Sequence, residues 1–400
     1  MRIAIFAETY FPFISGVVTH IQTLRDGLIA EGHEVLIVTL SPTAKHHYVE
    51  DGVLYCPARP LKRIYGYGIA NPINNRRLAI LRQFGPDIIH IQTEFTMGIF
   101  GMYAAKRLHK PMVYTLHTMY DDYVFYLIPN KHLSRGAQPA AHAYIRKVAN
   151  TAQEVIGPSK KVEEYLRKCK VKKAINVIPN TVNMDAFKVE NVLPEDVTAA
   201  KEKLGLTPKD TALCFVGRLG KEKSIEVLID YFANSFTGKP QFKLFIIGSG
   251  PEEDSLRLQI ERANMSGQIK LLGRIEHDDL PPYYHACNLF ATASLTEMNS
   301  ISMLEAEASG LYVVQRLDIN NLDQIIQGEN GETYNTPEEF AKIVNAQAAL
   351  NAEEKKKRRA HVAEIAQCYG TPQFTQEVLK VYHQALKRYY GSPYTDILIK

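Results

Sequence analysis

The sequence predicts an α/β protein made of two doubly wound domains in tandem. Three observations carry this prediction. The chain has 400 residues, more than one ordinary core fills, and 46% of them are hydrophobic. Short β-branched runs alternate with longer helical patterns from the first residues onward. The alternation stops across a polar stretch and then begins again. Continuous apolar strands separated by helices indicate a parallel sheet covered on both faces.

The first series of strands reads as Ile3–Phe6, Val35–Thr39, Ile88–Ile91, Met112–Leu116, Glu154–Ile156 and Ile175–Ile178. Helical patterns such as Val18–Glu31 and Ser159–Lys170 lie between them. Glu190–Thr207 is polar, carries Pro194 and lacks strand signals, so the domain junction falls there or slightly earlier, at Pro179–Met184. The second series reads as Ala212–Val216, Lys243–Ile247, Ile269–Leu272, Leu289–Ala293 and Tyr312–Gln315. Gln373–Tyr390 is a late amphipathic pattern, expected to cross back onto the first domain. The expected division is 1–185, 186–372 and 373–400. Two such domains face each other across a cleft, and ligands bind at the carboxyl ends of the strands.

Composition excludes several classes. The five cysteines are scattered, with no C-x-x-C pair. Neither a disulfide framework nor a zinc site is expected, and a reducing cytosol fits. The N-terminus MRIAIFAETY carries acidic Glu8 and no small-residue cleavage site follows, unlike a signal peptide. No apolar run reaches the ~18 residues of a membrane-spanning helix. The net charge of +4 conceals an asymmetry: residues 1–180 hold 23 Lys/Arg against 13 Asp/Glu, and the remainder hold 24 against 30. A basic first half points to an anionic partner or surface. Glu353–Arg359 (EEKKKRR) reads as a solvated helix face.

The loops after the strands carry the chemistry. Thr9–Gly16 holds only Ser15-Gly16 where a dinucleotide fold places G-x-G-x-x-G. Gly248-Ser249-Gly250 opens like that fingerprint, but Glu253 stands in place of the third glycine. Gly220-Lys221 lacks the spacing of a Walker loop, so a hydride-transfer or P-loop chemistry is disfavoured. Arg218 and Lys223 sit five apart after a strand, an arrangement suited to a diphosphate. Glu297 and Glu305 are eight apart, the first on a loop and the second about one turn into a helix read as Ser302–Ser309. The helix N-terminus between them offers N–H groups to an anion. A carboxylate within the helix can accept two ribose hydroxyls, and one on the loop can face a sugar. His117 ends a strand and, with Asp121 and Asp122 beyond it, is a base candidate.

Taken together, GRLGKEKS, IIGSGPEEDSL, LLGRIEHDDLPPYYHACNLFATAS and Glu297–Val314 resemble the donor-binding half of family 4 retaining glycosyltransferases, which have the GT-B fold of two Rossmann-like domains. MRIAIFAETYFPFISGVVTHIQTLRDGLIAEGHEVLIVT resembles that family's first βα unit, and with VIPNTVNMDAF the resemblance covers nearly the whole chain. Within the family, Tyr114–Leu127 (YTLHTMYDDYVFYL) looks most like bacterial diacylglycerol glucosyltransferases, which act at the inner membrane face. The resemblance implies retention, a UDP-sugar as substrate, no metal and no cofactor. It implies that Glu305 holds the ribose, that Arg218 and Lys223 hold the diphosphate, and that Gly16 approaches the phosphates. Backbone at Arg274 and Ile275 would meet the uracil, bordered by the loop beginning at Gly248. Glu297 would lie at the transferred sugar, with Ser300 and Ile301 completing the donor set, and His117 near the sugar's C6 hydroxyl. The chain departs from the family at Ser15, at Ser300 where Gly is common, at Leu311-Tyr312 where Pro is missing, and at Gln315-Arg316-Leu317. These departures leave the donor sugar open.

A lipid acceptor must meet the first domain. Phe95–Ala105 is apolar and is followed by Lys106-Arg107, and Tyr120–Pro129 is aromatic-rich. Arg59, Lys62, Arg63, Arg76, Arg77 and Arg82 form a basic set around a loop with Tyr65 and Tyr67; His132–Val148 adds Arg135, Arg146 and Lys147. Asp121 is counted on the same acceptor side. Cations beside apolar groups suit an anionic bilayer, each adding ~1 kcal/mol. The expectation is a peripheral enzyme at the inner face of the cell membrane, with the oligomeric state open. The alternatives are a transferase acting on a soluble or polyprenol-linked glycan, or a catalytically weak sugar-nucleotide binder. Nucleic-acid binding is disfavoured, because no recognition motif is visible.

Overall fold

Apolar runs buried on both faces build two separate parallel sheets, each in its own unit. The computed structural model describes residues 1–13, 15–60, 68–119, 121, 131–318 and 323–391, the side chains of 131–137 excepted. One unit comprises Met1–Asn180 together with the chain from Thr371 onward; the other is Thr181–Gly370.

In the first unit the strands are β1 (Arg2–Ala7), β2 (Glu34–Ser41), β3 (Tyr48–Glu50), β4 (Val53–Pro57), β5 (Arg59–Pro60), β6 (Gly68–Ile69), β7 (Ile88–Ile91), β8 (Met112–Thr115), β9 (Glu154–Gly157) and β10 (Ile175–Val177). The main sheet runs β10-β9-β8-β7-β1-β2-β4-β3, parallel except for the antiparallel edge pair β3–β4. Ile3 stands opposite Val35 on one side and Ile88 on the other, so β1 is central. β5 and β6 form a separate antiparallel pair with Arg59 opposite Ile69. The second unit holds β11 (Thr211–Val216), β12 (Phe242–Ile247), β13 (Ile269–Gly273), β14 (Leu289–Thr292), β15 (Tyr312–Arg316) and β16 (Gly331–Tyr334), all parallel, in the order β13-β12-β11-β14-β15-β16. In each sheet the winding reverses next to the first strand, between β1 and β7 and between β11 and β14. These reversals are the places where doubly wound sheets bind ligands.

The first crossing falls after Asn180, inside the expected Pro179–Met184 stretch but short of 185, because Met184 and Phe187 are buried in the second unit's core. The polar stretch Glu190–Thr207 holds a helix rather than the junction: Pro194–Leu204, with Pro at its start and Gly205 left-handed at its end. It buries only Ala200 and Leu204, so its composition resembles a linker's. β3, β4, β5, β6 and β16 were not anticipated; they are short, and β16 (GETY) is half polar.

The C-terminal helix, Thr371–Tyr390, belongs to the first unit. Its apolar stripe of Phe374, Val378, Leu379, Val381, Tyr382, Ala385 and Leu386 is buried in the same core as Ile3, Ile5 and Leu24. Each Val, Leu and Phe of this stripe contributes about 1.5–3 kcal/mol on burial. Arg388 closes the far end, its Nε 3.2 Å from the buried Glu154 Oε1 and its Nη1 donating to Gln153 O at 3.0 Å. The apolar run Phe95–Ala105 is also mostly core: Met97, Phe100, Ala104 and Ala105 are buried, and Phe95 and Ile99 are exposed. Among the described residues, no helix is long and apolar enough to cross a membrane.

At Gly27 the Gly16–Ala30 helix packs tightly against the C-terminal helix, for a Cβ there would be driven into Thr375 Oγ1. Gly27→Ala should therefore lower stability by about 1–3 kcal/mol through overpacking. Adding Thr375→Ala should restore part of the loss. Urea unfolding of the two single variants and the double variant measures this coupling.

Candidate functional site

In the second unit, three loops meet at the carboxyl ends of β11, β12 and β13. Backbone hydrogen bonds tie them: Gly217 N–H donates to Ile247 O at 3.0 Å, Leu219 N–H to Ser249 O at 3.0 Å, and Gly248 N–H to Gly273 O at 2.8 Å. Gly248 has φ +139°, and a Cβ there would collide with the Gly217 carbonyl. That glycine therefore lets the loop after β12 lie directly against the loop carrying Arg218. No side chain larger than hydrogen fits.

At the winding reversal, the loop after β11 meets the loop after β14. Thr296 Oγ1 donates to Glu222 O at 2.9 Å, and Lys223 Nζ lies 2.7 Å from Glu297 Oε1. Both partners of that ion pair are shielded, with side chains 26% and 12% exposed, so salt screens it less than a surface pair. Arg218 Nη1 lies 4.0 Å from Glu222 Oε1 on the same loop. Arg218, Lys223 and Glu297 thus converge at the switch point of the sheet.

Glu305 lies within the helix Ile301–Ala308 and is 4% exposed. Its Oε2 accepts from Tyr284 O–H at 2.8 Å, and its Oε1 lies 3.0 Å from His277 Nε2. The Glu305 hydrogen bond raises the His277 pKa against the opposing effect of burial. Burial, reinforced by the Glu305 charge, holds the Tyr284 hydroxyl well above its ordinary range, so it remains a donor. Two rigid partners therefore aim this carboxylate, and each oxygen keeps a lone pair for a hydroxyl. Edge contacts from Phe187 to both His277 and Tyr284, at 5.7 and 5.8 Å between ring centres, hold those partners in turn.

Other expected donor residues are placed differently. Ser300 precedes the helix, but its backbone N–H donates to Gln324 Oε1 at 2.8 Å and is not available to an anion. Ile301 and Ile275 are partly buried against the core, so only their backbone can serve a ligand. Arg274 is exposed and pairs with Glu276, Nε to Oε1, at 3.1 Å. Gly16 opens the first unit's first helix behind Ser15, whose Oγ accepts from Val18 N–H at 3.3 Å. The run Glu353–Arg359 is not wholly a solvated face. Arg358 lies 4.7 Å over the Tyr312 ring and Arg359 donates to Cys287 O at 3.1 Å. Both line a cavity of about 50 Å3 at the amino-terminal edge of the sheet, away from the switch point.

In the first unit, His117 follows β8 and is 8% exposed. Its Nε2 meets Gln92 Oε1, an oxygen that only accepts, so Nε2 carries the proton and Nδ1 keeps its lone pair. His20 packs edge-on against it at 4.6 Å. His90 lies beneath, its Nδ1 2.7 Å from Tyr382 O–H on the C-terminal helix and its Nε2 2.7 Å from Thr115 Oγ1. Burial lowers all three histidines: His20 to about 4, His90 to about 3, and His117 well below its ordinary value. His117 is therefore neutral, as a base must be. Glu8 directly follows β1. It accepts from the Thr96 and Met97 N–H groups at 2.6 and 2.8 Å, and burial lifts its pKa to about 7.

The acceptor-side expectations need two corrections. Arg77 is 2% exposed, lies 4.7 Å over the Phe100 ring and donates to Asn71 O. It is a core side chain and cannot face a bilayer. Asp121 is engaged by His142 Nε2 and Lys168 Nζ, each at 2.6 Å. Burial raises its pKa, but these hydrogen bonds outweigh burial and leave it below the usual carboxylate range, a poor base. Arg59, Arg76 and Arg82 are exposed as expected. Lys62, Arg63, Tyr65, Tyr67, Tyr120 and Asp122 lie outside the described residues, as does 123–129.

Comparison with known proteins agrees with this geometry. Residues 14–186 match Glycosyltransferase Family 4, and residues 196–367 match Glycosyl transferases group 1. The chain belongs to glycosyltransferase family 4. It is 34% identical, over 86% of its length and 87% of the relative's, to an alpha-monoglucosyldiacylglycerol synthase of Acholeplasma laidlawii. It is 31% identical to an enzyme of the same name from Streptococcus pneumoniae, over 80% and 73%. A GDP-mannose-dependent alpha-mannosyltransferase of Corynebacterium glutamicum is 26% identical over 83% and 76%. Anabaena HepE in complex with UDP and glucose has the same GT-B fold, with a TM-score of 0.73, 20% identity, and coverage of 95% and 99%.

In this glycosyltransferase, sequence reasoning missed Tyr284, His277 and Gln324. Their partners lie 21 to 28 positions away, beyond any local spacing signal. Its buried histidines also set a pH dependence. In the unfolded chain they gain protons near pH 6.5, whereas folded they do not. Their stabilisation is thus present above pH 6.5 and is lost as pH falls toward about 4. Glu8, Glu307 and His277, all raised, work in the opposite sense, but they are outnumbered, because His33, His47, His285 and His383 are lowered alongside His20, His90 and His117. The urea midpoint should fall between pH 7.5 and 5, and His20→Leu should flatten that slope.

Proposed function

We propose that this glycosyltransferase transfers glucose from UDP-glucose, with retention and without a metal ion, to a diacylglycerol-type lipid at an anionic membrane surface. The observation that carries the donor reading is the Lys223–Glu297 pair at 2.7 Å, set beside the helix that bears Glu305. A departing UDP gathers negative charge on its β-phosphate. Lys223 and Arg218 neutralise that charge in place of a metal. Once the diphosphate draws Lys223, the Glu297 carboxylate faces the sugar, where it favours positive charge developing on the ring. Glu305, aimed by Tyr284 and His277, accepts the ribose hydroxyls. His117, neutral and with Nδ1 unprotonated, serves the transferred sugar on the acceptor side.

The acceptor reading rests on the two synthases named above and on the first unit's surface. Arg59 pairs across β5–β6 with the exposed Ile69, and exposed Ile73 lies near exposed Arg76 in sequence. Cations beside exposed aliphatic groups suit a peripheral position on the inner leaflet. The mannosyltransferase relative makes GDP-mannose the competing donor, and a glycan the competing acceptor.

Purified protein incubated with UDP-glucose and vesicles of diacylglycerol with an anionic phospholipid should yield a glucosyl-lipid, identified by mass and by its anomeric NMR signal. Faster turnover of GDP-mannose, or equal activity on a soluble glycan without vesicles, would replace this reading. Glu305→Ala should weaken UDP binding by at least tenfold, since charged hydrogen bonds contribute about 1.5–3 kcal/mol each. Glu297→Ala should leave UDP affinity nearly unchanged and reduce transfer. Calorimetry with UDP, alongside product yield, separates the two roles; equal UDP affinity in wild type and Glu305→Ala would refute the ribose assignment.

A further inference from the structure

We propose that Gln324, backed by Asn330 and Glu307, is a positioning residue for the donor, its amide clamping the Ser300 backbone and so fixing the Glu297 loop to the Glu305 helix. This rests on the reading that Glu297 and Glu305 face the donor.

Ser300 occupies the N-cap of the Ile301–Ala308 helix, yet its side chain does not cap. Its Oγ instead lies 3.2 Å from Ser302 Oγ. Gln324 supplies the missing restraint from a distant segment. Its Oε1 accepts from Ser300 N–H at 2.8 Å and its Nε2 donates to Ser300 O at 2.7 Å. One amide thus meets both backbone groups of one residue, which needs a donor and an acceptor on the same planar group. A carboxylate makes the first bond and not the second. A hydrocarbon makes neither.

The clamp is itself held. Asn330 Nδ2 donates to Gln324 O at 3.0 Å and to Glu307 Oε1 at 3.0 Å, while Asn330 Oδ1 accepts from Ile326 N–H at 2.7 Å. Gln324 and Asn330 are each 1% exposed and Glu307 is fully buried. Water therefore cannot replace a bond lost here. Burial pushes the Glu307 carboxyl well above its ordinary range. Glu307 lies in the last turn of the same short helix that Ser300 begins. The network accordingly grips the helix at both ends, and Glu305 is carried between the two grips. Glu297 is three residues before Ser300, so any slack at Ser300 is passed to the loop that holds it against Lys223.

A purely structural network would lower the amount of folded enzyme and leave donor recognition alone in the molecules that fold. A positioning network changes recognition itself. Gln324→Leu should speed amide hydrogen exchange across 297–303, read by mass spectrometry, with the β11–β13 strands unchanged. It should raise the donor KM about tenfold, the loss expected when a buried hydrogen-bonded group is left unpaired, and leave the acceptor KM unaltered. Gln324→Glu retains one of the two bonds and should fall between Gln324→Leu and wild type in both measurements; it also serves if the leucine variant does not fold. Wild-type exchange across 297–303 in these variants, or a loss of kcat at unchanged donor KM, would overturn the proposal. Should wild-type protein fail to bind UDP, the donor reading falls, and the exchange across 297–303 still decides whether the clamp exists.

Discussion

A parallel sheet brings the carboxyl ends of all its strands to one edge, and a reversal of winding opens a crevice in that edge. Nearly every group of the candidate site depends on this constraint. In the second unit the reversal between β11 and β14 sets two loops side by side, one carrying Arg218 and Lys223 and the other Glu297. The same edge receives the loop after β12, which can approach only because Gly248 has no side chain to strike the Gly217 carbonyl. In the first unit the reversal lies beside β1 and β7, where Glu8 and Gln92 emerge. Placement of the chemistry follows from topology before any side chain is considered.

Most of the polar groups in the crevices are buried, so each has to be oriented by another. Glu305 has Tyr284 and His277, His117 has Gln92, and Ser300 has Gln324. In a low-dielectric setting an unpaired polar group is costly, and a paired one is stiff. The consequence is preorganisation: the carboxylates and cations of the candidate donor site have directions already chosen. The C-terminal helix extends the same logic, for its Tyr382 hydroxyl holds His90, which lies near His117. That helix is thus both a cover for the first core and a member of its polar interior.

Much of the candidate site was legible in the sequence, but unevenly. Arg218, Lys223, Glu297 and Glu305 stand on loops or helix starts directly after strands, so strand prediction located them. Arg77 and Asp121 are where composition misleads. Arg77 belongs to a basic-looking set, yet Asn74 caps its helix in a phase that turns it inward over Phe100. Asp121 looks like a second base beside His117, yet Lys168 and His142 come from distant segments to neutralise it. Charge counts register neither direction nor partners.

By itself the sequence determined the two α/β units, the family and the order in which chemical groups reach the strand ends. These follow from local periodicity and from short motifs, whose physics extends over a few residues. Only the tertiary structure decided which cations are buried, which carboxylate is aimed, and which amide holds the helix that carries it. Those outcomes depend on contacts between segments far apart in the chain. A side chain's charge, tautomer and direction are set by the groups that replace water around it, and no local pattern records which groups those are.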